Sequence, residues 1–357
     1  MNTIGVLGNL GPDDGVGGQI TKTREIVVYL NEKCKQNGNK LMVFDVYGKN
    51  VLQLFIGICR IMRVNEKVVV ILASTGYFRI DHLLIFLKKI YKTIIHEIVI
   101  GGVRHEYILQ KKSRLKNERQ IDYIYVESKY MVEQYKNIGL NQTQYLPNFK
   151  TFIPLNLGGI KKSGGKKLKL CTFSRIDQYK GIDTAVDIVQ IANSKIDSWG
   201  NIELDIYGAI DSAYKAQFER ILNNSDKRII SYMGKVSSEE AQRFLTQYDA
   251  LLFPTHWSTE GFPGTFVDAL ASGLPVISSY RENFVDVIQN DRNGYLIPED
   301  NIGLFVDVII RLYSDSSKLW RMKKESVEIS KKYLTENVLN KLWTRLIEKD
   351  EGKVGGH

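Results

Sequence analysis

The chain has 357 residues, of which 43% are hydrophobic and 25% charged, a composition typical of a globular protein long enough for two domains. Stretches of about 18 apolar residues are absent, which excludes a predicted spanning helix. The cysteines, Cys34, Cys59 and Cys171, are too far apart for a zinc site or a disulfide framework and predict reduced thiols in the cytoplasm.

The net charge of +9 is concentrated in the first half of the chain. Residues 1–150 hold 22 Lys/Arg against 13 Asp/Glu, whereas residues 151–357 hold 27 of each. This surplus favours an anionic partner such as a phosphate or lipid headgroups, although Lys-rich solvated helix faces would give the same count. Zinc ligands and an RNP-like aromatic motif do not accompany the charge, so we predict no nucleic-acid partner.

The first half begins with a short apolar strand at residues 3–8, a Gly-rich loop that includes Gly17 and Gly18, and a helical pattern from Gln19 onward. This order is typical of a nucleotide-binding α/β unit. The glycine spacing is not G-x-G-x-x-G, which argues against a dinucleotide. We therefore predict that the loop approaches a phosphate or a sugar, with a plain connecting turn as the alternative.

Alternating strands and helices continue to residue 149. Two histidines, His96 and His105, fall near the end of one strand; either could face a cleft, although a histidine in an apolar strand is more often a core residue. The helix at 51–64 has a basic end and is interpreted as a buried crossover helix rather than a membrane-surface helix. The predicted strands are residues 40–46, 67–73, 92–100 and 121–126, and the other helices are residues 81–91 and 130–138.

Residues 156–167 are rich in Gly, Lys and Ser and predict a linker between two domains. After them the α/β alternation restarts with a strand at 168–173. The loop that follows carries Arg175 and Lys180 at the carboxyl end of this strand. A planar guanidinium and a compact ammonium suit a diphosphate, and two exposed cations are the simpler alternative.

The chain is most informative between residues 250 and 279. A strand at 250–253 leads into the Gly/Pro-rich loop at 260–265 and then into a helical segment. A loop at a helix start presents unpaired N–H groups and the positive end of the dipole, which favours an anion. Two carboxylates, Glu260 and Asp268, frame the loop. The pattern predicts chemistry around a phosphorylated ligand.

These residues resemble the retaining nucleotide-sugar glycosyltransferases of family 4, in particular members that assemble polysaccharides. The likeness rests on residues 174–181, 207–208 with 233–236, 260–270 (EGFPGTFVDAL) and 273–277 with 293–296. Gly17, Gly18 and residues 101–102, 126–128 and 145–149 add a weaker likeness in the first half. The resemblance implies an α/β protein of the GT-B fold, with two Rossmann-like domains facing each other across a cleft.

The resemblance also implies the domain bounds. Residues 1–155 form an acceptor domain, and a C-terminal helix at about 333–350 joins it. Residues 156–167 are the linker, and residues 168–332 form the donor domain. The resemblance implies that Arg175 and Lys180 hold the donor diphosphate and that Glu260 lies close to the transferred sugar. His96 falls near a histidine of the family. The remaining implied donor-binding residues are Gly17, Gly18, Gly208, Lys235, Val236, Gly261, Phe262, Pro263, Gly264, Thr265, Phe266 and Asp268.

Two positions depart from the family pattern. Asp268 stands where the family has a second glutamate, but its carboxylate still accepts two hydroxyl hydrogen bonds from a ribose. Pro263 stands where the family often has glycine, and it removes one N–H donor from the sugar site.

The predicted function is therefore transfer of a sugar, with retained configuration, from a nucleoside-diphosphate sugar to a glycan or lipid-linked saccharide. UDP is the commonest donor base in the family. Asp-x-Asp, the usual metal-binding motif of sugar transferases, is absent from the sequence, so we predict a metal-independent enzyme without a cofactor. The protein is predicted to be cytoplasmic, with an anionic membrane surface as a possible partner. The alternatives are a non-catalytic partner subunit and a GT-B sugar-nucleotide epimerase.

Overall fold

The computed structural model describes residues 3–348 apart from 13–16, 157, 159–166 and 238–239. The chain divides into two compact units. Unit 1 comprises Met1–Asn148 and Thr335–His357, and unit 2 comprises Phe149–Leu334. The chain thus enters unit 2 before the predicted linker at 156–167, most of which lies outside the described residues.

Within the described residues, unit 1 is built on six parallel strands in the order β2-β1-β3-β4-β5-β6. The strands are β1 (Thr3–Gly8), β2 (Lys40–Asp45), β3 (Lys67–Ile71), β4 (Ile94–Ile98), β5 (Tyr123–Val126) and β6 (Thr143–Tyr145). The helices between them are α1 (Gly18–Gln36), α2 (Val51–Val64), α3 (Ser74–Tyr77), α4 (Asp81–Tyr91), α5 (Arg104–Leu109), α6 (Lys112–Glu118) and α7 (Lys129–Asn137).

The central strand β3 shows why this sheet forms. All five of its residues are buried, and three successive valines suit a parallel strand that is covered on both faces. The helix before it begins with a capping box: Asn50 Oδ1 accepts from the Gln53 amide at 2.9 Å, and Gln53 Oε1 accepts from the Asn50 amide at 3.0 Å. This cap fixes where α2 starts.

In its described part, unit 2 repeats the design with six parallel strands in the order β12-β11-β10-β7-β8-β9. These are β7 (Leu168–Phe173), β8 (Ile202–Tyr207), β9 (Ile230–Gly234), β10 (Ala250–Phe253), β11 (Val276–Ser279) and β12 (Gly294–Ile297). The helices are α8 (Ile182–Ser194), α9 (Lys215–Asn224), α10 (Ala241–Leu245), α11 (Gly264–Ala271), α12 (Ile302–Ser314) and α13 (Ser316–Ser330), with short 3-10 turns at Glu282–Phe284 and Lys331–Tyr333. The prediction of an α/β protein with two Rossmann-like domains is confirmed.

The segment just before the predicted linker packs within unit 2. The Lys150 amide donates to Tyr333 O at 3.0 Å, and its ammonium reaches Asp268. Gln242 Nε2 donates to the main-chain oxygen of Ile153 at 2.7 Å. These long-range contacts explain why unit 2 begins at Phe149.

The last helix, α14 (Thr335–Ile347), belongs to unit 1. Its apolar side, which includes Leu339, Leu342 and Trp343, is buried. Glu336 Oε1 pairs with Lys33 Nζ of α1 at 2.7 Å, and Lys67 Nζ donates to the main-chain oxygen of Glu348 at 2.6 Å. Unit 1 is therefore assembled from both ends of the chain. Across the described residues, the helices are all too short or too polar to cross a membrane.

Candidate functional site

The strand order of unit 2 creates a defined place for a ligand. β7 and β10 are neighbours at the centre of the sheet, and the chain leaves them toward opposite sides. In open α/β sheets the crevice at such a switch point, beyond the carboxyl ends of the strands, is where ligands bind. The loop after β7 carries Arg175 and Lys180, and the loop after β10 carries Glu260.

A glycine allows these two loops to touch. Gly181 has φ +63°, and a Cβ atom at this position would lie 1.9 Å from Pro254 O. A larger residue would therefore push the loop after β7 away from the loop after β10. Another close approach is at Gly208, which has φ +151° and would place a Cβ 1.8 Å from Ser174 O.

Lys180 and Glu260 form an ion pair between the two loops. The ammonium of Lys180 bonds Glu260 Oε2, and both side chains are largely buried. The ammonium also lies 4.7 Å from the centre of the Trp257 ring, a distance that favours a cation–π contact. A buried cation with a single carboxylate partner keeps donor capacity for a further anion.

Arg175 remains open to solvent on the same loop. Its side chain is 55% exposed, and its Nε lies 3.2 Å from Asp177 Oδ2. A guanidinium held at one edge still offers its other N–H donors for bidentate contact with a phosphate. The structure thus places Arg175 and Lys180 on one loop at the switch point, and their binding of a diphosphate stays a prediction.

The amino end of α11 is the third component of the site. Pro263 is the N-cap with φ −64° and ψ 128°, so the ring fits the start of the helix without strain. Thr265, in the first turn, has a buried Oγ1 atom without a hydrogen-bond partner among the described residues. This hydroxyl is a polar group at a helix start, where amide N–H groups favour an anion.

Packing fixes the direction of this helix. Phe266 is fully buried, and its ring lies 5.2 Å from the ring of Phe253 and 4.9 Å from that of Phe284. Phe262 is also buried and packs on Tyr333 at 5.1 Å between ring centres. At Phe262 and Phe266, therefore, only the main chain is available to a ligand. Gly261 and Gly264, beside them, are partly exposed.

Asp268 lies one turn further along α11 and is not free. Its Oδ2 atom accepts from Lys150 Nζ at 2.7 Å, and its side chain is 8% exposed. Burial raises the pKa of Asp268, and the ammonium of Lys150 acts in the opposite direction. A ribose at this position would share the carboxylate with Lys150, a residue that the sequence analysis did not single out.

The predicted base-binding residues lie at the same edge of the sheet, beyond β8 and β9. The Gly208 amide donates to Gly234 O at 2.9 Å, which holds the two strand ends together. Lys235 is exposed, whereas Val236 packs against the core of unit 2. Their main-chain groups are therefore what this edge presents to a flat base.

A set of contacts that the sequence did not reveal holds the loop after β10. Arg281 Nη2 donates to Thr255 O at 2.9 Å, and Arg281 Nε donates to Trp257 O at 3.2 Å. The guanidinium is held in turn by Glu299 Oε2 at 2.5 Å. Asn283 Nδ2 donates to Glu260 O at 2.9 Å. We call Arg281, Asn283 and Glu299 the loop clamp.

His256 adds a second connection from this loop. Its Nδ1 lies 2.8 Å from Glu299 Oε1 and its Nε2 lies 2.9 Å from Thr184 Oγ1. These side chains border an open cavity of about 440 Å³. The signal that could have pointed to the clamp is weak, because its contacts join residues that are 18 to 26 positions apart in sequence.

In unit 1 the prediction for His96 needs correction. The histidine lies inside β4 in register with Val69 and Tyr123, and it is completely buried. Its ring stacks on Tyr123 at 4.6 Å. Burial, together with the charges of Lys67 and Arg345, lowers the pKa of His96 to about 3. A neutral side chain without solvent contact cannot serve as a catalytic base at neutral pH.

The other candidates of unit 1 lie nearer the surface. His105 is half-buried on α5, and burial lowers its pKa. Gly17 is the N-cap of α1 and Gly18 is its first residue, in the segment that follows β1, and a Cβ on either would meet no described atom within 4 Å. The space beside these glycines fits a ligand-binding loop, although residues 13–16 of that loop lie outside the described part of the chain.

Comparison with known proteins now defines the class. Residues 167–315 match the family described as Glycosyl transferases group 1. This region contains the ion pair between Lys180 and Glu260 and the amino end of α11. This part of unit 2 is thus similar to group 1 glycosyltransferases, and the chain as a whole has the two-domain GT-B fold.

Two relatives and one solved structure illustrate the likeness. The GtfA subunit of the UDP-N-acetylglucosamine–peptide N-acetylglucosaminyltransferase of Streptococcus pneumoniae is 29% identical over 244 residues, 65% of this chain and 46% of that protein. The amylovoran biosynthesis glycosyltransferase AmsK of Erwinia amylovora is 27% identical over 150 residues, 41% of this chain and 36% of that protein. The matched regions thus span less than half of each relative.

The crystal structure of Anabaena HepE in complex with UDP shares the fold over nearly its whole length. Its TM-score is 0.73 at 12% identity, and the match covers 97% of this chain and 99% of HepE. At this identity the likeness establishes the fold of both units.

Proposed function

We propose that this protein is a retaining glycosyltransferase that moves a sugar from a UDP-sugar to a glycan or lipid-linked saccharide during polysaccharide or glycoconjugate synthesis. One observation carries the proposal. Two cations and the amino end of α11, where the Thr265 hydroxyl has no partner among the described residues, lie on loops at the switch point of the region that matches group 1 glycosyltransferases. UDP is supported by the HepE complex and by the donor in the name of the pneumococcal relative.

The proposed chemistry follows from the charge that develops during transfer. Breaking the bond between sugar and diphosphate builds negative charge on the leaving oxygen. Preorganised donors at that position lower the barrier because they need no rearrangement as the charge appears. Arg175, Lys180 and the first amides of α11 would supply these donors, and Glu260 would lie beside the sugar ring.

If the transferred sugar keeps its anomeric configuration, the acceptor attacks from the side of the leaving group. In that arrangement the departing phosphate can take the acceptor proton, so a side-chain base is not required. The burial of His96 is compatible with this scheme. Because protein cations balance the diphosphate, we also propose that transfer does not depend on a metal ion.

A thermal-shift experiment tests the donor class. UDP, GDP, ADP and CMP are compared in EDTA, because a ligand that binds the native state raises its melting temperature. We expect UDP to stabilise the protein without metal and Arg175→Ala to remove this effect. Arg292→Ala is the matched control, since Arg292 also lies on unit 2, is about half exposed and pairs with one carboxylate.

Transfer itself is measured as release of UDP from UDP-glucose and UDP-N-acetylglucosamine in the presence of saccharide acceptors. If none of the four nucleotides raised the melting temperature, the result would contradict the proposal and favour a non-catalytic partner subunit. A requirement for Mg²⁺ or Mn²⁺ would overturn only the metal-independent part.

A further inference from the structure

Two neighbouring helices of unit 1 expose large apolar side chains. α2 and α4 pack against each other on one side of the sheet. Among the exposed residues of the pair, six large apolar side chains are between 52% and 84% accessible: Val51, Leu52, Phe55, Ile56, Phe86 and Ile90. We call this surface the α2–α4 face. Scattered apolar residues are ordinary on protein surfaces, but six of them on two helices that pack together favour an interaction site.

The charged residues of this face all have the same sign. α2 contains no Asp or Glu, and the one acidic residue of α4, Asp81, is buried and accepts from Asn117 Nδ2 at 3.0 Å. Exposed on the same helices are Arg60, Arg63 and Lys89. The face therefore combines apolar and basic side chains without an exposed acidic residue on either helix.

On α2, most of the exposed apolar side chains and the basic side chains lie at opposite ends of the helix. β3 pairs in parallel with β1 and β4, so the helices that precede and follow it run in the same direction. The four most exposed apolar residues of α2, at positions 51, 52, 55 and 56, lie in its first two turns, whereas Arg60 and Arg63 lie near its carboxyl end together with Val64. On α4, Ile90 lies beside Lys89 at the carboxyl end. At the corresponding end of α4 an open cavity of about 630 Å³ is lined by Lys88, Lys89, Lys92 and Arg119, with Asp122 as its one acidic residue.

We propose that the α2–α4 face docks on the surface of an anionic phospholipid bilayer. Phe55, Ile56 and their neighbours would enter the headgroup region, and the basic end would contact anionic headgroups. This inference goes beyond the proposed reaction, since it concerns where the protein works, and it would bring unit 1 to a lipid-linked acceptor.

The charge pattern favours a bilayer over a second copy of the chain. A two-fold interface through this face would bury Arg60 and Arg63 of both copies, and neither α2 nor α4 exposes an acidic residue that could pair with them. A soluble polyanion would satisfy the cations but would leave the apolar side chains in water. An anionic bilayer satisfies both.

Vesicle flotation with the full chain tests the docking. Vesicles of phosphatidylcholine mixed with phosphatidylglycerol are compared with vesicles of phosphatidylcholine alone, each at low and high salt. We expect binding to the anionic vesicles that weakens at high salt, and little binding to the neutral ones. Equal binding to both, or none to either, would overturn the proposal.

Matched substitutions locate the surface. We expect Ile56→Ser with Phe55→Ser to reduce the partition onto anionic vesicles about tenfold or more, because the substitutions remove the inserted apolar area. Val28→Ser is the control: Val28 and Ile56 are both 57% exposed, and Val28 lies on α1 rather than on the α2–α4 face. Arg60→Gln with Arg63→Gln should also reduce binding about tenfold, compared with Lys35→Gln on α1.

Two further readouts separate the possible failures. The same variants are tested for stabilisation by UDP, which depends on unit 2 and should be unchanged. Loss of vesicle binding in Val28→Ser to the same extent would refute the assignment of the surface. A change of oligomeric state in Ile56→Ser, measured by light scattering, would point to a second copy and overturn the proposal. Failure of docking with intact UDP binding leaves the proposed function standing.

Discussion

Lys150 and Asp268 show how a single buried residue depends on its partner. The carboxylate is buried inside α11, and one ammonium balances it. Removing one partner of a buried ion pair leaves an uncompensated charge, which costs more than removing both. We expect Lys150→Met to lower the free energy of unfolding by about 3 kcal/mol at neutral pH, and Lys150→Met with Asp268→Asn to recover most of the loss.

The pH dependence of this variant has a definite sign. Burial raises the pKa of Asp268, so the folded state holds its proton more tightly than the unfolded state does. The stability of a protein with such a group is highest at low pH and falls as the pH rises through the raised pKa. Without Lys150 the pKa should rise further. Urea unfolding of the single and double variants between pH 4 and 8 measures both effects, and a pH-independent cost would contradict this account.

His96 should act on stability in the opposite direction. Its folded pKa, about 3, lies below the ordinary value of 6.5, so the unfolded state binds the proton more readily. Stability contributed by the neutral ring is present above pH 6.5 and is lost as the pH falls toward 3, by up to about 1.4 kcal/mol per pH unit.

His96→Phe tests this sign because a phenyl ring can keep the stacking on Tyr123 but cannot titrate. We expect a shallower loss of melting temperature between pH 6.5 and 4 than in the wild type. We also expect the rate of sugar transfer and its pH profile to stay unchanged. A large loss of the transfer rate with normal stability would restore His96 as a functional residue.

At the scale of structural elements, the contact between the loops after β7 and β10 makes Gly181 a sensitive position. Gly38 is the matched control, because it has a similar backbone conformation (φ +67° against +63°) but open space where a Cβ would lie. We expect Gly38→Ala to cost about 1–2 kcal/mol for the left-handed backbone alone. Gly181→Ala should cost about 1–3 kcal/mol more because of the clash with Pro254 O.

The two alanine variants should also differ in ligand binding. Gly181→Ala should move Lys180 relative to Glu260 and so lower the affinity for UDP, whereas Gly38→Ala should leave this affinity unchanged. Calorimetric titration with UDP gives the affinities, and chemical unfolding gives the stabilities. Equal effects of the two substitutions would mean that the contact between the loops does not matter.

The loop clamp gives a second prediction at this scale. Arg281 donates to two main-chain oxygens of the loop that carries Trp257 and Glu260. We expect Arg281→Met to lower the affinity for UDP about tenfold, which corresponds to about 1.4 kcal/mol of binding free energy. The substitution should also lower the melting temperature. Arg292→Met, at an exposed arginine outside the loop, should change neither quantity measurably. If Arg281→Met bound UDP normally despite a lower melting temperature, the clamp would be purely structural.

Most elements could be predicted from the sequence because their signals are local. The strand at 168–173 and the helices at 51–64 and 81–91 have the predicted bounds, since an apolar run or an amphipathic stripe with clear ends defines each of them. The short helices α5 and α6 were not predicted. They lie around Arg104, a fully buried arginine that bonds Glu97 and Glu118 and packs 3.8 Å from the Tyr77 ring. An arginine at this position gives no apolar periodicity to recognise.

Some residues of the candidate site could likewise be predicted from local sequence, and others could not. Arg175, Lys180, Glu260 and the start of α11 follow strands directly, so sequence order already placed them at one edge of a sheet. Lys150, Arg281 and the burial of His96 depend on contacts across 118, 26 and 29 residues, respectively. Such contacts arise only once the chain has folded, and no local pattern encodes them.

At the scale of the whole molecule, the positive charge and the proposed donor site lie in different parts of the chain. Residues 1–150 carry the whole surplus of positive charge, and the proposed bilayer surface lies among them. The proposed donor site lies in unit 2, where the charges of the chain balance more closely. A protein organised in this way can bind a donor from solution with one unit while the other unit contacts an anionic surface.

The chain path makes unit 1 depend on the far end of the sequence. α14 supplies a buried apolar side and the partner of Lys33, yet unit 2 lies between it and the rest of unit 1 in sequence. We expect removal of residues 335–357 to lower the melting temperature of unit 1 while unit 2 keeps its fold. Scanning calorimetry should therefore show two separated transitions in the truncated protein.

UDP identifies which transition belongs to which unit. A ligand stabilises the unit that binds it in proportion to the logarithm of its concentration over its dissociation constant. UDP should raise the temperature of the unit 2 transition, which is the higher of the two, and leave the temperature of the unit 1 transition unchanged. The full chain carrying Leu342→Ala, which opens a cavity in the buried side of α14, should show the same pattern with a smaller shift. A single transition that UDP moves as a whole would mean that the two units unfold together and that α14 stabilises both.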